Sequence, residues 1–348
     1  MAVVSIVIPV YYNAASLPAL AGRLNWLAAE NPRHQFEFIY VDDGSGDDSF
    51  KVLQEIASAD PRVRVVKLAR NFGSTTAVLA GISYTSGDCV GFIAADLQDP
   101  PEAFTEMIRF WEGGAKVVLA MRKDRRGDPF STRLLAVIFN WLFQKLVFPR
   151  LSPQGIGFFL IDRGVADLLI QSKEKNAFIP GMLLWMGFEP AILTYERAPR
   201  EHGVSRWTFR KKFNYLVDAF AAFSYLPLRL CSLTGILLAL VGAFYGLVIF
   251  FSRLLNQIPV PGWSALAIII LLTSGVQLVM LGVMGEYLWR TLDAVRERPL
   301  FVVDRIINPP AQLPGARERI EKLLGSLTST TQQRRRSFRQ PPDALQES

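Results

Sequence analysis

Over roughly the first 200 residues the chain alternates short apolar runs with amphipathic stretches. The runs fall at Val3–Val10, Phe36–Asp42, Val63–Leu68, Cys89–Ala94 and Lys116–Met121, with shorter ones at Phe158–Ile161 and Ile192–Tyr195. Each has the length of a strand, and the near-continuous apolar ones read as strands buried on both faces. Strands alternating with helical patterns predict an α/β fold, Rossmann-like, with a mainly parallel sheet covered by helices. GSGDDS precedes a helix expected from about Phe50, and Pro100 and Pro101 suit the first turn of another.

The pattern then changes. Between Trp207 and Phe223, the residues Phe213, Leu216, Val217, Phe220 and Phe223 recur at helical spacing, while Arg210, Lys211, Lys212, Asn214 and Asp218 fall largely elsewhere. This predicts an amphipathic helix in a membrane interface, with a helix packed on the sheet as the alternative. Leu230–Phe251 and Val260–Gly285 carry no charge, and each exceeds the roughly 20 residues that span a bilayer. A buried core helix is the alternative for one such run, and two in tandem argue against it. The predicted organisation is an α/β domain over 1–204, an interfacial segment over 205–228, two transmembrane helices over 229–289 and a basic tail over 290–348. From Asn308 to Ser348 the tail is rich in Arg, Gln, Ser and Pro, a composition expected to be largely disordered, with RRRSFR as a lipid contact.

Composition fits this division. Mean hydropathy is +0.23, and the two uncharged runs account for it. A net charge of +7 suits nucleic acid or an anionic membrane surface; the apolar runs favour the membrane, and no nucleic-acid partner is expected. Arg206, Arg210, Lys211, Lys212 and Arg229 precede the first run and Arg290, Arg296 and Arg298 follow the second, whereas the connection holds only Arg253. The positive-inside rule then places the α/β domain and the tail in the cytoplasm of a multi-pass inner-membrane protein. Met1–Val10 lacks the features of a signal peptide. Two cysteines, Cys89 and Cys231, form no disulfide framework and fit a reducing compartment.

The chemistry gathers where strands end. SIVIPVYYN, FIYVDDGSGDDS, RNFG and AADLQDPPE follow the first four strands in order. In an open α/β sheet, ligands sit at such carboxyl ends. These motifs resemble the family-2 glycosyltransferases of the GT-A fold. The apolar runs and GEYLWRTLDAVRERPLFVV point to the branch acting on polyprenyl phosphates, which includes dolichol-phosphate mannose synthases and bactoprenol glucosyltransferases. The resemblance covers about Val4 to Val303.

A nucleotide-sugar carries a pyrophosphate, and Mg²⁺ or Mn²⁺ is commonly held by one or two carboxylates together with substrate phosphates. Asp96 is the expected metal ligand and catalytic residue, with Gln98 as a further ligand and Asp99 in support. Asp42 stands where the family has a base- or ribose-binding aspartate; Asp43 binds substrate or orients its loop. Pro9 and Tyr11 resemble residues that flank the nucleotide. Arginine recognises phosphate oxygens bidentately. The family uses the region after the fifth strand, here Arg122, Arg125, Arg126, Ser131 and Arg133, and an RxxGxS(K/R) element, here Arg200 to Arg206, to hold donor and lipid phosphate. Arg122 and Ser131 are carried over as catalytic, Arg200 and Ser205 as substrate-binding. His202 inside that element is a candidate phosphate contact, and His34 has no evident role.

The implied reaction is inverting transfer of a hexose, glucose first, from a UDP-sugar to undecaprenyl or another polyprenyl phosphate at the lipid bilayer, by a protein whose branch points to homotetramers. Four positions depart from the pattern. Ala94 replaces the first aspartate of DADLQ, and Gly157 in IGFFLIDR stands where the branch has an aspartate regarded as a base or acceptor-orienting group. Tyr12 is additional and Ala14 replaces a glutamate. Ala94 and Gly157 support an alternative from another class, a non-catalytic, membrane-anchored nucleotide-sugar sensor or scaffold. A processive polysaccharide synthase is disfavoured by the lack of QxxRW and of further spans. On the sequence alone, Gly157→Asp is expected to raise the transfer rate.

Overall fold

The structure is a computed structural model that describes residues 1–123, 156–172, 174, 178–199, 226–255, 263–296 and 298–309. Within it the chain divides into two compact units, one built on a sheet and one on two long helices.

In the first unit the elements run β1 (Val3–Val10), α1 (Leu17–Glu30), β2 (Gln35–Asp42), α2 (Ser49–Ala59), β3 (Val63–Leu68), α3 (Ser74–Ser83), β4 (Cys89–Phe92), a 3₁₀ turn (Pro101–Ala103) leading into α4 (Phe104–Glu112), β5 (Val117–Arg122), β6 (Ile156–Asp162), α5 (Arg163–Gln171), α6 (Ile179–Trp185), β7 (Ala191–Tyr195) and, after the long helices, β8 (Val303–Ile307). The eight strands form one sheet in the order β7-β5-β6-β4-β1-β2-β3-β8. Strands β4, β1, β2 and β3 run parallel, as the alternating pattern predicts. Two features were not legible in that pattern: β6 inserts antiparallel between β4 and β5, and β8 adds an antiparallel edge to β3.

Burial explains the central strands. Val4, Ile6, Val7, Ile8 and Val10 of β1 are all fully enclosed. On one side α1 presents Leu17, Leu20, Leu24 and Leu27, spaced three and four apart along a single face. Against the sheet α3 packs so closely that a Cβ on Gly81 would lie 2.3 Å from Val7 Cγ1, so glycine sets the helix-to-strand distance.

β8 is clamped by Asn308, whose Nδ2 donates to the Ala57 carbonyl at 3.1 Å and the Val63 carbonyl at 2.9 Å. Lys67 pairs with Asp304 at 3.5 Å, and Arg64 Nε donates to the Asn308 carbonyl. Asn308→Ala therefore removes two hydrogen bonds from part-buried carbonyls and is expected to cost about 1–3 kcal/mol, read as a shift in the urea midpoint with the m-value unchanged.

In the second unit α7 (Leu226–Leu254) contains the first uncharged run, and α8 (Trp263–Val295) takes up the second from Trp263 and continues past Gly285 through Glu286, Arg290 and Asp293. Among the described residues one window, Leu228–Tyr245 in α7, is identified as long and apolar enough to cross a bilayer, with a mean hydropathy of 1.8. The interfacial helix expected over 207–223 and the tail from 310 onward lie outside the described residues.

Candidate active site

The strand order reverses direction at β1, which has β2 on one side and β4 on the other. Such a switch point leaves a crevice at the carboxyl ends of the two diverging strands. The β1–β4 ladder ends at Val7↔Phe92, whereas β1 continues beside β2 to Val10↔Asp42. Pro9 thus sits in a central strand at a place where its missing N–H faces no partner strand, which is why proline is tolerated there. The strand expected to reach Ala94 stops at Phe92, and the Ile93 N–H makes one further bond to β1, to the Val7 carbonyl at 3.1 Å.

Local bonds shape the loops around this crevice. Tyr12 has φ 58°, a left-handed conformation uncommon for a bulky residue. It is held there by a bond from its N–H to Ser45 Oγ at 3.1 Å, while the Asn13 N–H donates to Ser49 Oγ at 2.9 Å. The Tyr11 and Tyr12 rings meet edge to face at 4.7 Å. On the other side, Ser16 Oγ donates to the Ala95 carbonyl at 2.7 Å, fixing the loop after β4 to the start of α1. Leu97 also has φ 60°, and this kink separates Asp96 from Gln98. Strained backbone of this kind persists where the surroundings over-determine it.

The two neighbouring aspartates at the end of β2 do different work. Asp42 is fully buried; its Oδ1 accepts from the Ser45 N–H at 3.1 Å, and its Oδ2 has no hydrogen-bond partner among the described residues. Burial pushes its carboxyl upward, opposed by Ser45 and Lys67. Asp43 instead accepts from the Phe72 N–H at 2.7 Å and the Gly73 N–H at 3.0 Å, so both its oxygens orient the loop before α3. Burial raises its pKa to about 6, against the pull of those two N–H groups.

Because the folded pKa of Asp43 lies above the unfolded value, the native state binds the extra proton. This contribution is greatest at low pH and is lost as pH rises from 3.8 through about 6. A rise of that size is worth about 3 kcal/mol. Thermal unfolding of the natural chain and of Asp43→Asn, followed from pH 3.5 to 7, should show the natural chain's stability relative to the variant falling with pH by about that amount.

After β4 the carboxylates are knitted to β7. Asp96 Oδ1 accepts from the Gln98 N–H at 3.3 Å, and its Oδ2 lies 3.8 Å from Arg197 Nη2. Gln98 Nε2 donates to the Ala198 carbonyl at 3.3 Å, and the Ala198 N–H donates back to the Gln98 carbonyl at 2.9 Å. Asp99 is buried; it accepts from the Tyr195 hydroxyl at 2.5 Å and pairs with Arg197 Nε at 3.3 Å, at an angle that is not that of a hydrogen bond. Arg122, opposite Tyr195 across the β5–β7 ladder, has a buried Nε without a hydrogen-bond partner among the described residues.

Gly157, at the start of β6, lies on the same rim. A Cβ there would stand 1.9 Å from the Tyr195 hydroxyl. The expectation that Gly157→Asp raises the rate meets this contact: an aspartate enters only if the Tyr195 side chain moves.

Pro9, Tyr11 and Asp42 thus sit at the ends of β1 and β2, Asp96 and Gln98 on the loop after β4, and Arg122 at the end of β5. Ser131, Arg200, Ser205 and His202 lie outside the described residues. Sequence reading passed over Arg197 and Tyr195. Their only signal was position, at and just after a strand end, and the arginine-rich element that follows drew attention away. His34 pairs with Glu112 at 3.3 Å on the far side of the domain's chemistry and needs no catalytic reading.

A sheet with this order defines an α/β fold of the GT-A type. The sequence profile described as glycosyl transferase family 2 matches residues 5–167. The chain is 36% identical over 301 residues to an uncharacterized glycosyltransferase, YkcC, of Bacillus subtilis, covering 86% of this chain and 93% of that protein. It is 32% identical over 302 residues to the bactoprenol glucosyl transferase of Shigella phage SfII, covering 87% and 97%. Among solved structures, glucosyl-3-phosphoglycerate synthase of M. tuberculosis is 18% identical, with a TM-score of 0.44 over 63% of this chain and 80% of that one. The protein belongs to glycosyl transferase family 2 and is a glycosyltransferase.

Proposed function

We propose that this glycosyltransferase moves glucose, with inversion, from UDP-glucose to a membrane polyprenyl phosphate such as undecaprenyl phosphate, releasing UDP. The observation that carries the reading is the pair of carboxylates across the switch-point crevice, the buried Asp42 with an unpartnered oxygen on one side and Asp96 on the other. The similarity to bactoprenol glucosyl transferase over nearly its whole length supports the acceptor.

In this reading Asp42 Oδ2 accepts from the ring N–H of the base, since a buried acceptor without a partner favours a ligand that supplies one. Asp96 and Gln98 supply hard oxygen donors, the type that suits Mg²⁺ or Mn²⁺. Among the described residues no group of three His, Cys, Asp or Glu could hold an ion by itself, so the fit is to a cation that takes most of its oxygens from the pyrophosphate. When bound, such an ion neutralises charge on the departing diphosphate. Arg122 and Arg197 place guanidinium groups on the same rim, where they stabilise phosphate charge. The acceptor needs no strong base: a phosphate monoester has a second pKa of about 6 and is largely dianionic near neutral pH. Ser131, Arg200 and Ser205 complete the set that holds donor and acceptor phosphates.

The same reading makes α7 and α8 a pair of spans, with the catalytic unit and the tail on the cytoplasmic side of the inner membrane and residues 205–228 as an interfacial segment. Homotetramers fit the branch. Reporter fusions at Asn256 and after Ser348 should report the loop outside and the tail inside; both on one side would remove a span. Ala94 keeps a second reading open, a nucleotide-sugar-binding scaffold without transfer. Incubating purified protein with undecaprenyl phosphate, Mg²⁺ and a panel of UDP- and GDP-sugars separates the two. A lipid-linked hexose, seen by mass, is expected with UDP-glucose; donor binding with no lipid product from any member of the panel would favour the scaffold.

A further inference from the structure

Gly157 and Tyr195 are one feature in two strands. The Tyr195 hydroxyl lies 1.9 Å, and its Cζ 2.8 Å, from where a Cβ at position 157 would stand. No L side chain fits there while the tyrosine holds its place. The ring is fixed by Phe158, 5.0 Å away and edge-on, and by its own place at the end of β7. Its hydroxyl therefore occupies the space into which the side chain missing from position 157 would extend.

That hydroxyl is also used. It donates to Asp99 Oδ1 at 2.5 Å and lies beside the Arg122 guanidinium. Asp99 in turn lies 3.3 Å from Arg197, whose other end approaches Asp96 at 3.8 Å. A buried carboxylate is costly unless it is paired and hydrogen-bonded, and among the described residues Tyr195 gives Asp99 its side-chain hydrogen bond. Without the hydroxyl, Asp99 would compete for Arg197 and draw it from Asp96.

We infer that Tyr195 takes the place of the side chain absent at Gly157, as a positioning residue that holds Asp99, and through it Arg197 and Asp96, in register with Arg122 for the transfer step. The inference rests on the transfer reading above. It explains how a chain with glycine at that position keeps an ordered rim: the carboxylate is supplied from the loop after β4 and steadied from β7.

Two measurements on the full-length protein test it, one without catalysis. In thermal unfolding, Gly157→Asp should lower the midpoint. Combining it with Tyr195→Leu, which removes the hydroxyl and ring, should recover stability relative to the sum of the single changes, a coupling expected only of residues in contact. In transfer assays, Tyr195→Phe keeps the ring and should lower kcat about 10- to 100-fold, the cost of small misplacements of reacting groups. The donor KM should stay within about twofold, because the effect is on alignment rather than uniform binding. Gly157→Asp should lower kcat and the double variant recover some of it. Additive midpoints, or an unchanged kcat in Tyr195→Phe, would overturn the inference. Absence of product from the unaltered chain would overturn the transfer reading instead, and the unfolding cycle distinguishes that failure from this one.

Discussion

Replacing Asp96 by asparagine is expected to lower glycosyl transfer by about a hundredfold to a thousandfold, the scale found when one preorganised group that stabilises developing charge is removed. The substitution keeps the size of the side chain and its ability to accept from the Gln98 N–H, a bond of 3.3 Å. What it removes is the negative charge, which in the proposed reading holds a divalent cation and which lies 3.8 Å from Arg197. Donor binding should weaken only when Mg²⁺ is present, and in EDTA the natural chain and the variant should bind UDP alike. Equal transfer rates in the two proteins at saturating metal would remove Asp96 from the site.

Asp42→Ala should act on a different quantity. Asp42 is fully buried at the end of β2, and its Oδ2 has no hydrogen-bond partner among the described residues. A ligand N–H meeting this oxygen forms a charge-assisted bond, for which about 1.5–3 kcal/mol is typical, so UDP affinity should fall about 10- to 100-fold. The loss should be the same with and without metal, because the base lies apart from the pyrophosphate. Calorimetric titration of UDP into both proteins, with Mg²⁺ and with EDTA, separates the two aspartates. A loss in Asp42→Ala that appears only with metal would mean that this carboxylate serves the diphosphate and not the base.

The difference between Asp42 and Asp43 illustrates what the sequence could resolve. Both follow an apolar run, and both were candidates for substrate. Only the backbone path shows that Asp43 turns to the N–H groups of Phe72 and Gly73 while Asp42 keeps an oxygen unpartnered. The strands up to β5 were readable because each is a four- to eight-residue run bounded by polar turns, the strongest signal local pattern offers. The antiparallel direction of β6 was not readable, since apolar content carries no sense of direction. β8 was missed because VDRII has two charges in five residues and lies at a sheet edge, where one side of the strand faces water.

The pairing of Gly157 with Tyr195 lay beyond sequence reading for another reason. The departure at Gly157 was visible as a missing carboxylate, but what fills the gap depends on the register of β5 against both β6 and β7. Local propensity does not set that register. Along the chain Gly157 reads as a gap; in space the Tyr195 hydroxyl stands there, bonded to Asp99 across 96 residues of sequence.

In the proposed reaction a hexose passes to a lipid phosphate at the crevice between β1 and β4. The most direct measurement is the stoichiometry of a single reaction mixture of purified protein, UDP-glucose, Mg²⁺ and undecaprenyl phosphate. UDP released and lipid-linked hexose formed should appear together, mole for mole, and both should stop when the lipid phosphate is omitted. UDP released at the same rate with no lipid phosphate present, or donor bound with neither product formed, would contradict the account.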